Sequence, residues 1–300
     1  MKAIYSWTLA VIITLIAIFF QRNTGPSHPG KQLMEVNGTS FKASFPRSME
    51  RPRDKTSDTK LTVSLRSKDN AEDRIIGAIL YYKRFPGNDN YTAVVPSFSL
   101  DKDKLLIDCM IPVQPAAGKI SYYLQILGKD GTTVNSQETI LRFRDYVPSS
   151  VLMLHILLIF FAFLFSNFTG IYALSGNTRI NRFALVTILI LIAGGFILGP
   201  LVQKYSFGVW WSGWPLGGDM TDNKTLIAIL VWIVAYILNK IPFSSPVICR
   251  WRRYLYLAAA LVTIAAYSIP HSTAGSEYDY QTGTIVTGQV ISLETSNTIQ

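Results

Sequence analysis

The sequence predicts an α+β membrane protein: an N-terminal anchor helix, an extracytoplasmic β-sandwich, then a four-helix transmembrane bundle. Three observations predict it. Of the 300 residues, 49% are hydrophobic and only 16% charged, whereas soluble domains carry about 25% charged residues. Five apolar stretches, at residues 3–20, 151–172, 183–202, 226–241 and 254–269, reach or approach the roughly 20 residues that a hydrocarbon core requires. Between the first two lie short runs of β-branched and aromatic residues separated by turn residues, the mark of strands. With 20 Gly, 14 Pro and 2 Cys, the chain is neither collagen-like nor a disulfide scaffold.

The first element spans residues 1–21. Its apolar run ends in Ile18-Phe19-Phe20-Gln21-Arg22, without the small-x-small pattern that a signal peptidase requires, so it reads as an uncleaved anchor. Residues 22–34, with His28 among Pro, Gly and Ser, read as a linker.

Residues 35–147 form the expected β module. Its strand-like runs are 61–65, 78–83, 91–95, 105–111, 119–127 and 139–143, separated at Pro86-Gly87-Asn88-Asp89, at 115–118 and at Asp130-Gly131. Leu61, Val63 and Leu65 alternate with Thr62 and Ser64, as in a half-buried strand, and Asp-Gly between strand-like runs signals a hairpin. The stretch 111–124, with Pro112, Pro115 and Gly118 before Ile120-Ser121-Tyr122-Tyr123-Leu124, resembles the late strands of fibronectin III or immunoglobulin-like modules. That resemblance implies a two-sheet binding or spacing domain. It departs from true immunoglobulin domains in lacking their Cys-Trp-Cys pattern.

Residues 148–272 supply the four bundle helices, and 273–300 an extracytoplasmic C-terminal tail. Charge sets the orientation. With the N-terminus in the cytoplasm, Lys2, Arg179, Arg182, Lys240, Arg250, Arg252 and Arg253 fall inside and only Lys204 and Lys224 outside, as the positive-inside rule favours. Residues 22–147 and the C-terminus are then extracytoplasmic, and the location is an inner (plasma) membrane. Within residues 21–148, 19 Lys/Arg face 14 Asp/Glu, a net of +5, interspersed rather than striped. That is a solvated surface and no nucleic-acid footprint.

Two polar clusters fall on the outer face by this threading. In the loop 203–225, Trp210, Trp211 and Trp214 stand close together, followed by Asp219, Thr221, Asp222 and Lys224. Two readings are open: an interfacial aromatic belt, or a glycine-hinged lid presenting polar groups. Thr221 or Asp222 also suits a helix N-cap. The second cluster follows the last span and includes His271 and Glu277. His155, within a span, is a functional candidate as an intramembrane ionisable residue. His155, His271, Asp219, Asp222 and Glu277 are of suitable types for a metal, and the two histidines are the available axial ligands for a b-type haem. No tight ligand spacing occurs, so absence of a cofactor is the plainer expectation; the competing reading of the cluster is a hydrogen-bonded network that pins the loop.

Asp219-x-Thr221-Asp222-Asn223-Lys224 and Ile269-Pro270-His271-Ser272-x-x-Gly275-Ser276-Glu277 are similar to motifs in a group of bacterial inner-membrane proteins to which no activity is attached. Elsewhere, Gly195-x-x-x-Gly199 suits close helix packing and Pro200 ends or kinks the third span. Asn37-Gly38-Thr39 and Asn90-Tyr91-Thr92 match glycosylation sequons. Cys109 lies in a strand and Cys249 in an inner loop, so the two read as separate buried thiols.

There is no Walker loop, dinucleotide fingerprint, Gly-x-Ser-x-Gly elbow or His-Glu-x-x-His, which removes common enzyme signatures. Few charges fall at mid-depth and no repeat is visible, which disfavours a transporter. The expected function is a binding, assembly or accessory subunit of a larger membrane complex, its partners the lipid bilayer and another membrane or periplasmic protein, with no nucleic acid. The alternative is a membrane redox or metal/haem enzyme with its site on the outer face. A weaker third is a ligand sensor, for which no cytoplasmic output domain is visible.

Overall fold

The computed structural model describes residues 3–25, 28–67, 71–176, 179–242, 251–269 and 275–287. They belong to two units. Met1–Gly25 and Val147–Gly275 form a helical unit, and Pro26–Tyr146 with Ser276–Gln300 a β unit.

The helical unit contains α1 (Ala3–Thr24), α2 (Ser149–Tyr172, with a 3-10 turn Ala173–Ser175), α3 (Ile180–Leu191), a π segment (Ile192–Leu198), α4 (Gly199–Phe207), α5 (Met220–Lys240) and α6 (Tyr254–Ser268). Four stretches, Ala3–Thr24, Ser149–Ser175, Ile180–Phe207 and Met220–Lys240, are long and apolar enough to cross a membrane; α6 is apolar but has 15 residues. α1 packs within this unit. Trp7 stacks on Phe168 of α2 at 4.0 Å, and Asn167 of α2 donates to Thr14 of α1 at 3.0 Å.

Glycines set the helix separations. A Cβ on Gly170 would lie 2.4 Å from that of Ala260, one on Gly194 2.9 Å from that of Leu158, and one on Gly195 2.7 Å from the Thr225 methyl. α2 therefore closes on α6 and on the π segment, and the π segment on α5, at distances only glycine permits. Pro200 falls in the first turn of α4. It has no N–H for the Phe196 carbonyl and its ring crowds that carbonyl; the π turn just before it widens the helix where the α pattern fails.

The β unit contains β1 (Gly30–Val36), β2 (Thr39–Phe45), β3 (Ser48–Glu50), β4 (Thr59–Arg66), β5 (Ile75–Phe85), β6 (Thr92–Val94), β7 (Ser97–Asp101), β8 (Lys104–Ile111), β9 (Lys119–Gly128), β10 (Thr133–Asn135), β11 (Thr139–Arg144), β12 (Glu277–Asp279) and β13 (Thr284–Val286). One sheet runs β1-β2-β4-β8-β7, the other β3-β11-β9-β5-β6 with β10 on β9, and β12 pairs β13. Every pairing is antiparallel except β3 with β11. Alternation dictates the buried faces: Leu61, Val63 and Leu65 of β4 and Leu105, Ile107, Cys109 and Ile111 of β8 share one core with Ile120, Tyr122, Leu124 and Ile126 of β9 and Leu141 and Phe143 of β11.

The six anticipated strand runs coincide with β4, β5, β6, β8, β9 and β11. β1 and β2 lie outside them, and β1 starts inside the stretch expected to be a linker. Asn37 and Gly38, at φ 49° and 67°, are the two left-handed residues of the hairpin that joins them. Asp130-Gly131 turns β9 into β10, with Asp130 accepting from the Thr132 amide at 3.0 Å. Residues 276–286, expected in a tail, supply β12 and β13 to this unit. Cys109 is buried, and burial pushes its thiol up to about 12; Cys249 lies outside the described residues.

Candidate functional site

The segment between α4 and α5 is clipped to the first turn of α5. Asp219 is the N-cap and accepts from the Thr221 amide at 2.7 Å. Asp222, one turn further, accepts from the Ser212 amide at 2.7 Å. With its amide nitrogen facing Asp222, Gln203 donates to both carboxylate oxygens at 3.0 and 3.1 Å while its oxygen accepts from the Ser212 hydroxyl. Asn223 accepts from the Trp214 amide at 2.6 Å. Gly213 lets these strands of chain meet, since a Cβ there would lie 2.7 Å from that of Asp222. Both carboxylates stand where the helix dipole favours negative charge.

The three tryptophans divide. Trp211 donates to the Trp214 carbonyl at 3.1 Å and packs 5.3 Å from the Phe196 ring. Trp210 and Trp214 are exposed, and the Lys204 ammonium lies 5.9 Å over the Trp210 ring. Lys224 is buried, donates to the Ile269 carbonyl at 2.7 Å and lies 6.0 Å over the Tyr267 ring. Buried carboxylates, a buried ammonium and backbone amides here hold one another, which costs less than leaving any of them unmet in an apolar setting.

His155, on α2, bonds through Nδ1 to the Gly194 carbonyl at 2.8 Å. A carbonyl only accepts, so Nδ1 carries the proton. The same oxygen accepts the Gly199 amide across the π turn. His155 thus braces the irregular part of the third apolar stretch.

Glu277 belongs to the β unit. On β12 it pairs with Lys119 at 2.7 Å, and its side chain is 4% exposed. Tyr278 donates its amide to the Ala117 carbonyl at 3.2 Å, and Tyr280 its hydroxyl to the Lys119 carbonyl at 2.9 Å. Arg142 donates to the Ser276 carbonyl. Burial holds the Tyr280 hydroxyl well above the ordinary phenol range. Gly118 makes room, since a Cβ there would sit 2.8 Å from the Pro115 carbonyl and 3.0 Å from the Tyr280 hydroxyl.

Of the anticipated cluster, then, Asp219, Thr221, Asp222 and Lys224 share the start of α5. His155 serves the π segment and Glu277 a different unit, while His271 lies outside the described residues. Among the described residues, no three His, Cys, Asp or Glu side chains form a metal-binding group. No protein-family model and no curated protein matches the chain. A solved structure of Astrotactin-2, described as a conserved vertebrate-specific and perforin-like membrane protein involved in neuronal development, is similar at a TM-score of 0.23 and 11% identity, over 78% of this chain and 37% of that one. The chain thus spans well under half of that protein's length, and so low a TM-score establishes no common fold.

Gln203, Ser212 and Asn223 complete the network around Asp222 and were absent from the sequence candidates. The available signal was Gln203, an amide standing at the end of an otherwise apolar stretch.

Proposed function

We propose that the protein is an integral inner-membrane subunit that binds or helps assemble a larger membrane complex through its β unit. One observation carries this reading: the edge strand β7 presents apolar side chains that its own fold leaves uncovered. Phe98 pairs with Ile107 and Leu100 with Leu105, so both point to the core side of the sheet. Yet they are 44% and 65% exposed, with Val95 nearby in sequence at 81%. The facing sheet ends there in the three-residue β6. Core-side apolar groups at an unpaired sheet edge are the feature that strand-adding partners use.

The strand order supports an immunoglobulin-like sandwich. β2-β4-β8-β7 follows the order A-B-E-D and β5-β9-β11 the order C-F-G. The link from β11 to α2 is only Asp145-Tyr146-Val147-Pro148, and the four long apolar stretches support membrane insertion with the β unit extracytoplasmic. The network around Asp222 supports an anchoring role for the α4–α5 loop, with Trp210 and Trp214 as interfacial aromatics.

The test is site-directed photo-crosslinking in native membranes with a crosslinking residue at Leu100 or, as control, at Lys129. A discrete adduct from position 100 that disappears with Phe98→Asp is the expected result. Absence of any adduct at 100, with a lone monomer after mild-detergent purification, would overturn the reading.

A further inference from the structure

α5 and α6 are held together by Trp232, whose Nε1 donates to the Thr263 hydroxyl at 3.0 Å and whose ring stacks 5.9 Å from Tyr256. Between the same helices lies a groove of about 280 Å³ lined by apolar residues alone, among them Leu230, Val234, Ala235, Ala258, Ala259 and Val262. The three alanines create it, being small where leucine or valine would close the gap. On α6 the lining runs from Leu255 to Val262, about 10 Å at 1.5 Å per residue. A helix is about 10–12 Å across and cannot lie inside such a slot, whereas an extended hydrocarbon chain can.

One end of the groove is cationic. Arg252 precedes the lining residue Leu255 by three positions and donates to the Ile241 carbonyl at 2.6 Å. Ile241 follows Val234 by seven positions and so lies on the same face of that helix. The exposed Lys240 stands beside it, its ammonium 5.6 Å over the Tyr236 ring. Asp219 and Asp222 are the only acidic residues of the helical unit's sequence segments. Both stand at the far end of α5, about 27 Å away along its axis. Arg179, Arg182, Lys240, Arg252 and Arg253 therefore have no carboxylate of this unit beside them.

We propose that the α5–α6 groove is a binding site for an anionic phospholipid, one acyl chain lying along Ala235, Ala258 and Ala259 and the headgroup phosphate meeting Arg252 and Lys240. The apolar lining suits only hydrocarbon, and the uncompensated cations at its end select negative over zwitterionic headgroups. This inference rests on the membrane-spanning reading, which carbonate extraction of membranes tests separately. If the protein is carbonate-released, both readings fail; if it resists extraction, the lipid site stands or falls alone.

The experiment is native mass spectrometry of the full-length, detergent-purified protein titrated with phosphatidylglycerol or phosphatidylcholine of identical chains. One preferred site with at least about fivefold tighter binding of phosphatidylglycerol is expected, the effect of a single cation near a headgroup. Arg252→Gln should remove about that factor. Ala258→Trp should abolish the preferred site, and Val262→Phe, a milder filler, should weaken it, both at unchanged helical circular dichroism. Equal binding of the two lipids, or tight phosphatidylglycerol binding retained in both filled variants, would overturn the proposal. So would a co-purifying protein that Ala258→Trp releases in place of lipid.

Discussion

Compare the two interiors. The β unit buries Phe41, Phe45, Leu61, Leu65, Leu80, Ile107, Tyr122 and Phe143 almost completely in one cluster. The helical unit buries Ser6, Thr14, Ser166, Asn167, Thr169, Thr187 and Thr263 among alanines and glycines, and leaves large apolar side chains such as Ile16, Phe19, Met153, Leu189 and Val234 exposed. In water, removal of apolar surface drives folding, and the β unit is built that way. Between lipid and a helix surface that drive vanishes, so close approach at small residues and hydrogen bonds between helices must replace it. The proposed bilayer location accounts for the second pattern, which would be a poor core in water.

The comparison breaks most sharply at Phe143. It is fully buried in the shared core, so Phe143→Ala should cost about 3–5 kcal/mol, read as a lower urea midpoint of the β unit's unfolding transition in detergent-solubilised protein. A loss below about 1 kcal/mol would mean that the two sheets do not depend on their common core.

A smaller effect is expected where polar groups do the holding. Asp222→Ala leaves the Ser212 amide and the Gln203 side chain without their acceptor, at a cost of about 1–3 kcal/mol. The tryptophan emission of Trp210, Trp211 and Trp214 should shift as the loop detaches, with α5 retained by circular dichroism. Unchanged emission and stability would show that the loop is held by something other than this carboxylate.

How far these features were legible in the sequence follows from their range. Apolar stretches announce themselves by length, and β4 by strict alternation at Leu61, Val63 and Leu65. The β1–β2 hairpin carried its signal in Asn37-Gly38, which also fits a glycosylation sequon; the turn chemistry was the stronger meaning. β7 was missed because Ser97, Phe98, Ser99, Leu100 and Asp101 are all exposed, leaving no buried face to impose a recognisable burial pattern. The pairing of Asp222 with Gln203, 19 positions apart, and of Glu277 with Lys119, 158 apart, obeys no local period. Such contacts are set by how elements pack, and residue type alone marked only some of the participants.

On the polar surface of the β unit the effect is smaller again. Asp108 accepts from Lys60 at 2.8 Å and from the Thr62 hydroxyl at 2.6 Å, and those bonds hold its carboxyl below the ordinary aspartate range. A lowered folded-state value means the stabilisation is present above the unfolded value of about 3.9 and is lost as pH falls through the lower, folded one. Lys60 is 60% exposed, so screening limits the gain to about 1 kcal/mol or less. Stability measured from pH 6 to 2 should fall less steeply below about pH 4 in Asp108→Asn than in the wild type. Identical profiles would assign the acid sensitivity to other carboxylates.

The smallest expected effect is the most discriminating between the units. Asn167 gives one hydrogen bond to Thr14 across α1 and α2, and its Oδ1 meets no hydrogen-bond partner among the described residues. In an aqueous core, replacing an interhelical amide partner usually costs about 1 kcal/mol or more. Within a bilayer such bonds average about 0.6 kcal/mol, and Asn167→Leu also removes the unmet acceptor. The net change should therefore be within about 0.5 kcal/mol of zero, measured by thermal unfolding in lipid nanodiscs. Trp7 against Phe168 at 4.0 Å would then carry the α1–α2 contact, and Trp7→Ala should be the more damaging substitution. If Asn167→Leu costs more than Trp7→Ala, polar contact rather than ring stacking positions α1.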